Sequence, residues 1–264
     1  MNKFITRLTR NRLGMCTALI VILFTSVPGF SQTKDSVNKE SSKYRNVVKL
    51  SVSSWLLYPN SLHFGYERLI AKNQSISVFG GYNQFPLNLN LNISNTHFAG
   101  TKSKSGYMFG AEYRFYLPKE NKYSPPHGLY IAPYVSYYNF SSDRSLVHTD
   151  SNGVAQSVNL NVGMTFLNIG GVLGYQFVVA KRFVIDAELF GPSFTYYTFR
   201  GKLDGQINGL DPEGTLKAVI DALKEKLPFL GDLSNGKQIY SSGNASQKFP
   251  AVGFRYSINI GFMF

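Results

Sequence analysis

Eight residues able to carry charge or move a proton stand on one parity of alternating, strand-like runs: Lys49, His63, Glu67, Glu112, Arg114, Asp186, Glu188 and Arg255. Glu112 and Arg114 are two residues apart, as are Asp186 and Glu188. In a strand, residues two apart share a face, so each pair projects into the same space. The neighbouring positions are apolar; in the run from 107 to 117, Tyr107, Phe109, Ala111, Tyr113, Phe115 and Leu117 face away from Glu112 and Arg114. Charges gathered on an inner face persist only when paired and hydrogen-bonded. The expected chemistry is therefore a network of salt bridges filling a narrow interior, with Gly65, Gly110, Gly170, Gly174 and Gly261 leaving room for long side chains. Proton conduction or acid–base catalysis is the other use of such a cluster.

Nucleophilic chemistry would require a base beside a hydroxyl and an acid to orient that base. His63, His97 and His148 are the candidates, yet His97, His127 and His148 lie in polar turn or loop sequence and His63 is alone on its face. No His or carboxylate pair stands at a metal-ligand spacing with a second rigid partner, and no cofactor motif is present, so no metal or cofactor is expected. Asp143, Asp150 and Asn152 could hold calcium in a loop, although this composition is ordinary for solvated turns.

The elements that position these residues follow from periodicity. Strand-like runs are expected at about 46–57, 61–70, 75–84, 106–117, 129–140, 159–179, 182–199 and 249–264. Links at 71–74, 118–128 and 180–181 fall on one side. Links at about 58–60, 85–105, 141–158 and 200–248 fall on the other, and three of these four are long. An even strand number with loop lengths segregated by side is the asymmetry of a bacterial outer-membrane barrel. In the last loop, Leu216, Val219, Ile220, Leu223 and Leu227 recur at helical spacing between Asp211-Pro212 and Pro228, which predicts an amphipathic helix over 211–228, a lid or a binding arm.

Lys3, Arg7, Arg10 and Arg12 precede an apolar stretch from Leu13 to Val27, and Gly29-Phe30-Ser31 offers small residues to a signal peptidase. Residues 1–32 are thus expected to be a signal peptide, 33–45 a flexible periplasmic lead-in and 46–264 the barrel. Cys16 lies in the signal, so the mature chain carries no thiol. Removing the signal's four bases lowers the whole-chain charge from +12 to +8. The lysines are scattered over loops and turns and form no basic stripe, which excludes a nucleic-acid groove and suits lipopolysaccharide or plain solvation.

The closing residues Phe254 to Phe264 place Phe, Tyr, Ile, Ile, Phe and Phe on one parity. This strand, with Tyr256, Gly261, Phe262 and the final Phe264, resembles the signal that the barrel-assembly machinery reads in Gram-negative outer-membrane proteins. The segments Phe64-Gly65-Tyr66-Glu67-Arg68-Leu69-Ile70, Gly110-Ala111-Glu112-Tyr113-Arg114-Phe115-Tyr116 and Ala187-Glu188-Leu189-Phe190-Gly191-Pro192 resemble small barrels of the OmpA and OmpX type, and more closely an uncharacterised barrel family. The resemblance spans about Val47 to Phe264 and implies an all-β, eight-stranded antiparallel up-and-down transmembrane barrel without established chemistry. No peptidoglycan-binding domain follows the last strand, so wall anchoring is not expected. The function expected is structural or surface-interacting, through outer loops that meet an extracellular ligand or surface protein. A lipid-modifying enzyme and a narrow channel are the alternatives.

Overall fold

In the computed structural model, residues 44–57, 60–84, 92–93, 96–149, 155–204, 214, 217, 238–241 and 244–264 are described. The expected signal peptide, most of the lead-in and nearly all of the 211–228 helix lie outside these residues. Strands β1 (Asn46–Ser51), β2 (Leu62–Ala71), β3 (Gln74–Tyr82), β4 (Asn92–Ile93), β5 (Thr96–Tyr116), β6 (Gly128–Thr149), β7 (Ala155–Val179), β8 (Phe183–Asp204), β9 (Gln238–Ser241) and β10 (Asn244–Met263) form one antiparallel sheet, with helix α1 (Val52–Leu57) between β1 and β2. Eight of the strands close on themselves in the order β1-β2-β3-β5-β6-β7-β8-β10, because β1 also pairs with β10. The short β4 and β9 append to β5 and β10. At the seam, the Phe264 amide donates to the Asn46 carbonyl at 2.9 Å and the Asn46 amide donates back at 3.2 Å.

The ring has two tiers. Near the seam and the short turns all eight strands take part, and the exposed outward positions there are mainly apolar or aromatic, among them Val48, Phe64, Val78, Phe109, Ile131, Ile169 and Ile260, with Arg68 a charged exception close to the turn end. The inner face of this lower tier carries the charged residues together with buried apolar side chains such as Val47, Leu69, Val172 and Val184. Past Tyr107, Tyr137, Leu167 and Tyr196, strands β5 to β8 continue for 8–12 further residues, and the outward face turns polar. Ser103, Ser105, Ser157, Arg200, Lys202 and Asp204 now point outward, while Phe140, Leu146, Leu160, Val162, Phe199 and Leu203 are buried on the inner face. Since a strand alternates strictly, each face keeps its direction along these strands while its chemistry changes between the tiers.

Several expected boundaries need correcting. The regions expected to be the loops 85–105, 141–158 and 200–248 contain strand at 96–105, 141–149, 155–158, 200–204 and 238–241, plus 244–248. Their Ser, Asn and Gly content reads as loop, but period-two burial continues through it. Lys104, Lys202 and Lys248 accordingly lie on strands. The run expected as one strand over 46–57 breaks at Ser51. Ser51 Oγ accepts from the Ser54 amide at 3.4 Å and its carbonyl accepts from Ser54 Oγ at 3.1 Å, the geometry of an N-cap, so the chain turns into α1. In β8, the pairing skips from Glu188 to Phe190 or Gly191 on its two sides, leaving both Leu189 and Phe190 outward. This bulge moves the inner face from even to odd positions just where Gly191-Pro192 interrupts regular pairing.

Candidate functional site

The residues expected inside come together there. Lys49 Nζ lies 2.5 Å from Glu67 Oε2 and 2.7 Å from Asp186 Oδ2, and donates to Gln176 Oε1 at 2.9 Å. Arg114 is the hub: Nε donates to Glu112 Oε1 at 2.6 Å, Nη1 to Gln176 Oε1 at 2.8 Å, and Nη2 sits 2.9 Å from Asp186 Oδ2 and also against Glu112. Glu67 takes two hydroxyl bonds, from Tyr116 and Ser75, each at 2.6 Å, and Tyr130 donates to Asp186 at 2.8 Å. All five of these charged side chains are at most 6% exposed. Arg255 lies above them, donating to Glu188 Oε1 at 2.8 Å with Nη1 3.3 Å from Glu112 Oε2, its guanidinium over Phe79 and Tyr134.

Local sequence explains the fit. Lys49, Glu67, Glu112, Arg114, Asp186 and Glu188 come from four strands at inward-facing ladder positions, so the sheet's closure, rather than any loop, sets their meeting point. Gly174 is required because the Tyr130 ring occupies the space a Cβ would need. Gly261 is required because the Val48 carbonyl comes within 2.5 Å of that position. Sequence reasoning missed four members: Gln176, Tyr116, Tyr130 and Ser75. The signal was available, since Tyr116 continues the Glu112-Arg114 parity and Gln176 is the one long polar residue of β7's lower inner face. Below the network Val47, Val184 and Met263 pack together, while Leu69, Tyr116, Tyr130, Ala132, Tyr134 and Val172 form a second apolar cluster beside it.

Above the network is a cavity of about 230 Å³. Glu112, Glu188 and Arg255 form part of its floor; Ser53, His63, Ser136 and Ser193 are among its walls. His63 Nε2 is 2.7 Å from Asn83 Oδ1, so its partner is an amide and not a carboxylate. The other histidines do not join it. His127 stacks on Tyr123 at the opposite end, with ring centroids 4.7 Å apart, while His97 and His148 lie on the strand extensions. Asp143 accepts from Ser103 and Asn161 on the extension, and Asp150 and Asn152 fall outside the described residues. No cluster of three metal-ligating side chains occurs among the described residues.

Of the residues expected to form an assembly signal, Gly261, Phe262 and Phe264 lie at the seam, and Tyr256 lies beyond it at an irregularity in the β8–β10 pairing. Tyr256 and Phe264 are exposed outward, Phe262 packs edge-on against Phe183 with centroids 5.6 Å apart, and Gly261 pairs with Lys49 and Val184. No family model matches the chain, and no curated protein is significantly similar to it.

Proposed function

We propose that the protein is an integral β-barrel of a bacterial outer membrane, filled by its ion network, that holds a strand extension outside the bilayer for contact with the cell's surroundings. One observation carries this reading: outward apolar and inward polar faces over the lower tier, inverted on the same strands beyond Tyr107, Tyr137, Leu167 and Tyr196. Nine positions of β6, from Leu129 to Tyr137, lie below that line, close to the roughly 9–11 residues with which a tilted strand spans hydrocarbon. Tyr107, Phe109 and Tyr137 cluster at the transition, with centroids 5.1–6.5 Å apart, as interfacial aromatics do. Exposed Arg200, Lys202 and Lys248 beyond it suit the anionic groups of lipopolysaccharide. The experiment is fractionation with heat-modifiable gel mobility and planar-bilayer recording. Outer-membrane partition, a heat-dependent mobility shift and no stable conductance are expected. A water-soluble species would overturn the membrane assignment, and large steady currents would overturn the filled interior.

A lipid-modifying enzyme is the second reading, favoured by the polar cavity beside His63. It asks for a hydroxyl activated by His63, and His63→Ala should then abolish turnover without altering heat modifiability.

A further inference from the structure

The ring's wall is uneven. β1 pairs with β10 only from Ser51↔Asn259 down to the seam, and β9 covers β10 only at 244–247. Among the described residues, 248–258 of β10 therefore pair on the β8 side alone. α1 stands where β1 would have continued, and touches this edge by accepting the Ile258 amide on Ser53 Oγ at 3.1 Å. A helix of this length cannot satisfy a strand edge, since its own amides and carbonyls are turned along its axis. Among the described residues, the most exposed large apolar side chains gather around the breach: Phe194 at 81%, Val252 at 76% and Trp55 on α1 at 67%.

The 230 Å³ cavity lies directly behind. Phe64, Phe254 and Tyr256, which point outward, share in lining it with the inward Glu112, Glu188 and Arg255, so the cavity reaches through the wall between β2 and β10. An unpaired strand edge at hydrocarbon depth is tolerated only where it lines a polar, hydrated space. The cavity supplies that space. It is too small for a whole lipid and of a size for a head group.

Charge decides which head group. The network and the cavity above it hold three bases, Lys49, Arg114 and Arg255, against four acids, Glu67, Glu112, Asp186 and Glu188, while the buried Arg144 lies farther along β6 in the upper tier. Glu188 Oε2 is buried without a hydrogen-bond partner among the described residues, and Glu112 Oε2 has only the unaligned ion pair with Arg255 Nη1. A further anion would add to the excess of negative charge. An ammonium would balance it and donate to Glu188 Oε2, leaving Arg255 Nη1 for an adjoining phosphate oxygen.

We propose that this breach is a lateral portal, and that the cavity behind it seats the amine head of a zwitterionic amphiphile whose acyl chains stay outside against Val252, Phe254 and Phe194. The inference rests on the membrane reading above. The test is native mass spectrometry of the full folded protein in neutral detergent, with phosphatidylethanolamine, phosphatidylglycerol and phosphatidylcholine carrying the same acyl chains. One retained phosphatidylethanolamine per barrel is expected, with phosphatidylglycerol retained about tenfold less, the scale of one charge-assisted hydrogen bond. Glu188→Gln should remove that preference. Because Glu188 also holds Arg255, a second variant acts by volume: Ser193→Leu, flanked in the ladder by Gly170 and Gly253, fills the cavity and should cut retention of every lipid head. Equal retention of all three lipids, or retention unaffected by Ser193→Leu in a barrel that still shows heat modifiability, overturns the portal. Fractionation reads the other premise separately. An integral protein without lipid preference loses the portal only, whereas a water-soluble protein that still selects the amine lipid loses the membrane assignment and keeps the cavity.

Discussion

Lower and upper tiers of this sheet are built from the same strands, yet they are stabilised in opposite ways. In the lower tier β7 turns Gln176 and Gly174 inward and Leu173, Ile169 and Phe177 outward. A dozen residues earlier the same strand, with no register break against β6, turns Leu160 and Val162 inward and Ser157 outward. Inner packing in the upper tier follows the hydrophobic effect, in which apolar surface leaves water. In the lower tier the inner surface combines paired charge with the clusters around Val47 and Leu69, and a large apolar surface is left outside. Backbone geometry and strand pairing are therefore indifferent to which medium lies beyond the wall. The pattern of side chains alone records it.

The sharpest way to break the comparison is to remove the lower tier's hub. Arg114 contacts Glu67, Glu112, Asp186 and Glu188, so Arg114→Ala leaves buried carboxylates facing one another. A loss of about 3–5 kcal/mol is expected, the range for breaking a buried pair. Urea titration of the folded fraction on cold gels measures it. A loss below about 1 kcal/mol would mean the network is solvated like a surface pair.

The next test uses one strand and one face. Leu173→Lys places a charge outward at mid-height of the lower tier, and Ser157→Lys places the same charge outward in the upper tier. The first should cost about 2–4 kcal/mol if hydrocarbon lies outside, and the second close to nothing. Equal effects would place both tiers in water.

How much of this was legible in the chain depends on tier. Glu112-Arg114 and Asp186-Glu188 announced an inner face because charge two apart on a strand must share a side, and closure of the ring did the rest. Upper-tier strands read as loops because charge no longer marks the interior alone there: Asp143 and Lys202 point outward and Leu160 inward, while Arg144 is buried on the inner face beside Ser142. A fixed rule for faces cannot survive a change in the chemistry of the faces along the strand. The bulge at Leu189-Phe190 was signalled by Gly191-Pro192 but its direction was not, since a bulge is fixed by two neighbouring strands at once. α1 was the local miss. Val52-Ser53-Ser54-Trp55-Leu56-Leu57 no longer alternates, and Ser51 stands at its start as a cap.

That cap gives a smaller effect. Ser51→Ala removes the acceptor for the Ser54 amide and should cost about 1 kcal/mol, the ordinary value of an N-cap. It should also loosen α1 from the Ile258 amide that Ser53 holds. Fluorescence of Trp55, the chain's one tryptophan, reports α1 directly, and an unchanged spectrum together with unchanged stability would show that the helix does not depend on its cap.

The smallest expected effect lies at the turn end of the lower tier, where His127 packs against Tyr123, Tyr175 and Phe177. Burial among these rings lowers its pKa, because the imidazolium loses hydration there. The folded state then binds its proton less readily than the unfolded chain, whose histidine titrates near about 6.5. The stabilisation from His127 is therefore complete above that value and is lost as the pH falls through it toward the lower folded pKa. Half of the ring's surroundings are solvent, which keeps the effect modest. Urea midpoints of the unmodified protein and His127→Phe, compared at pH 5 and pH 8, isolate it. The unmodified protein should lose more stability on acidification than the variant; parallel curves would show that the ring sheds no hydration in this turn, and that the aromatic contacts at this rim are open to water.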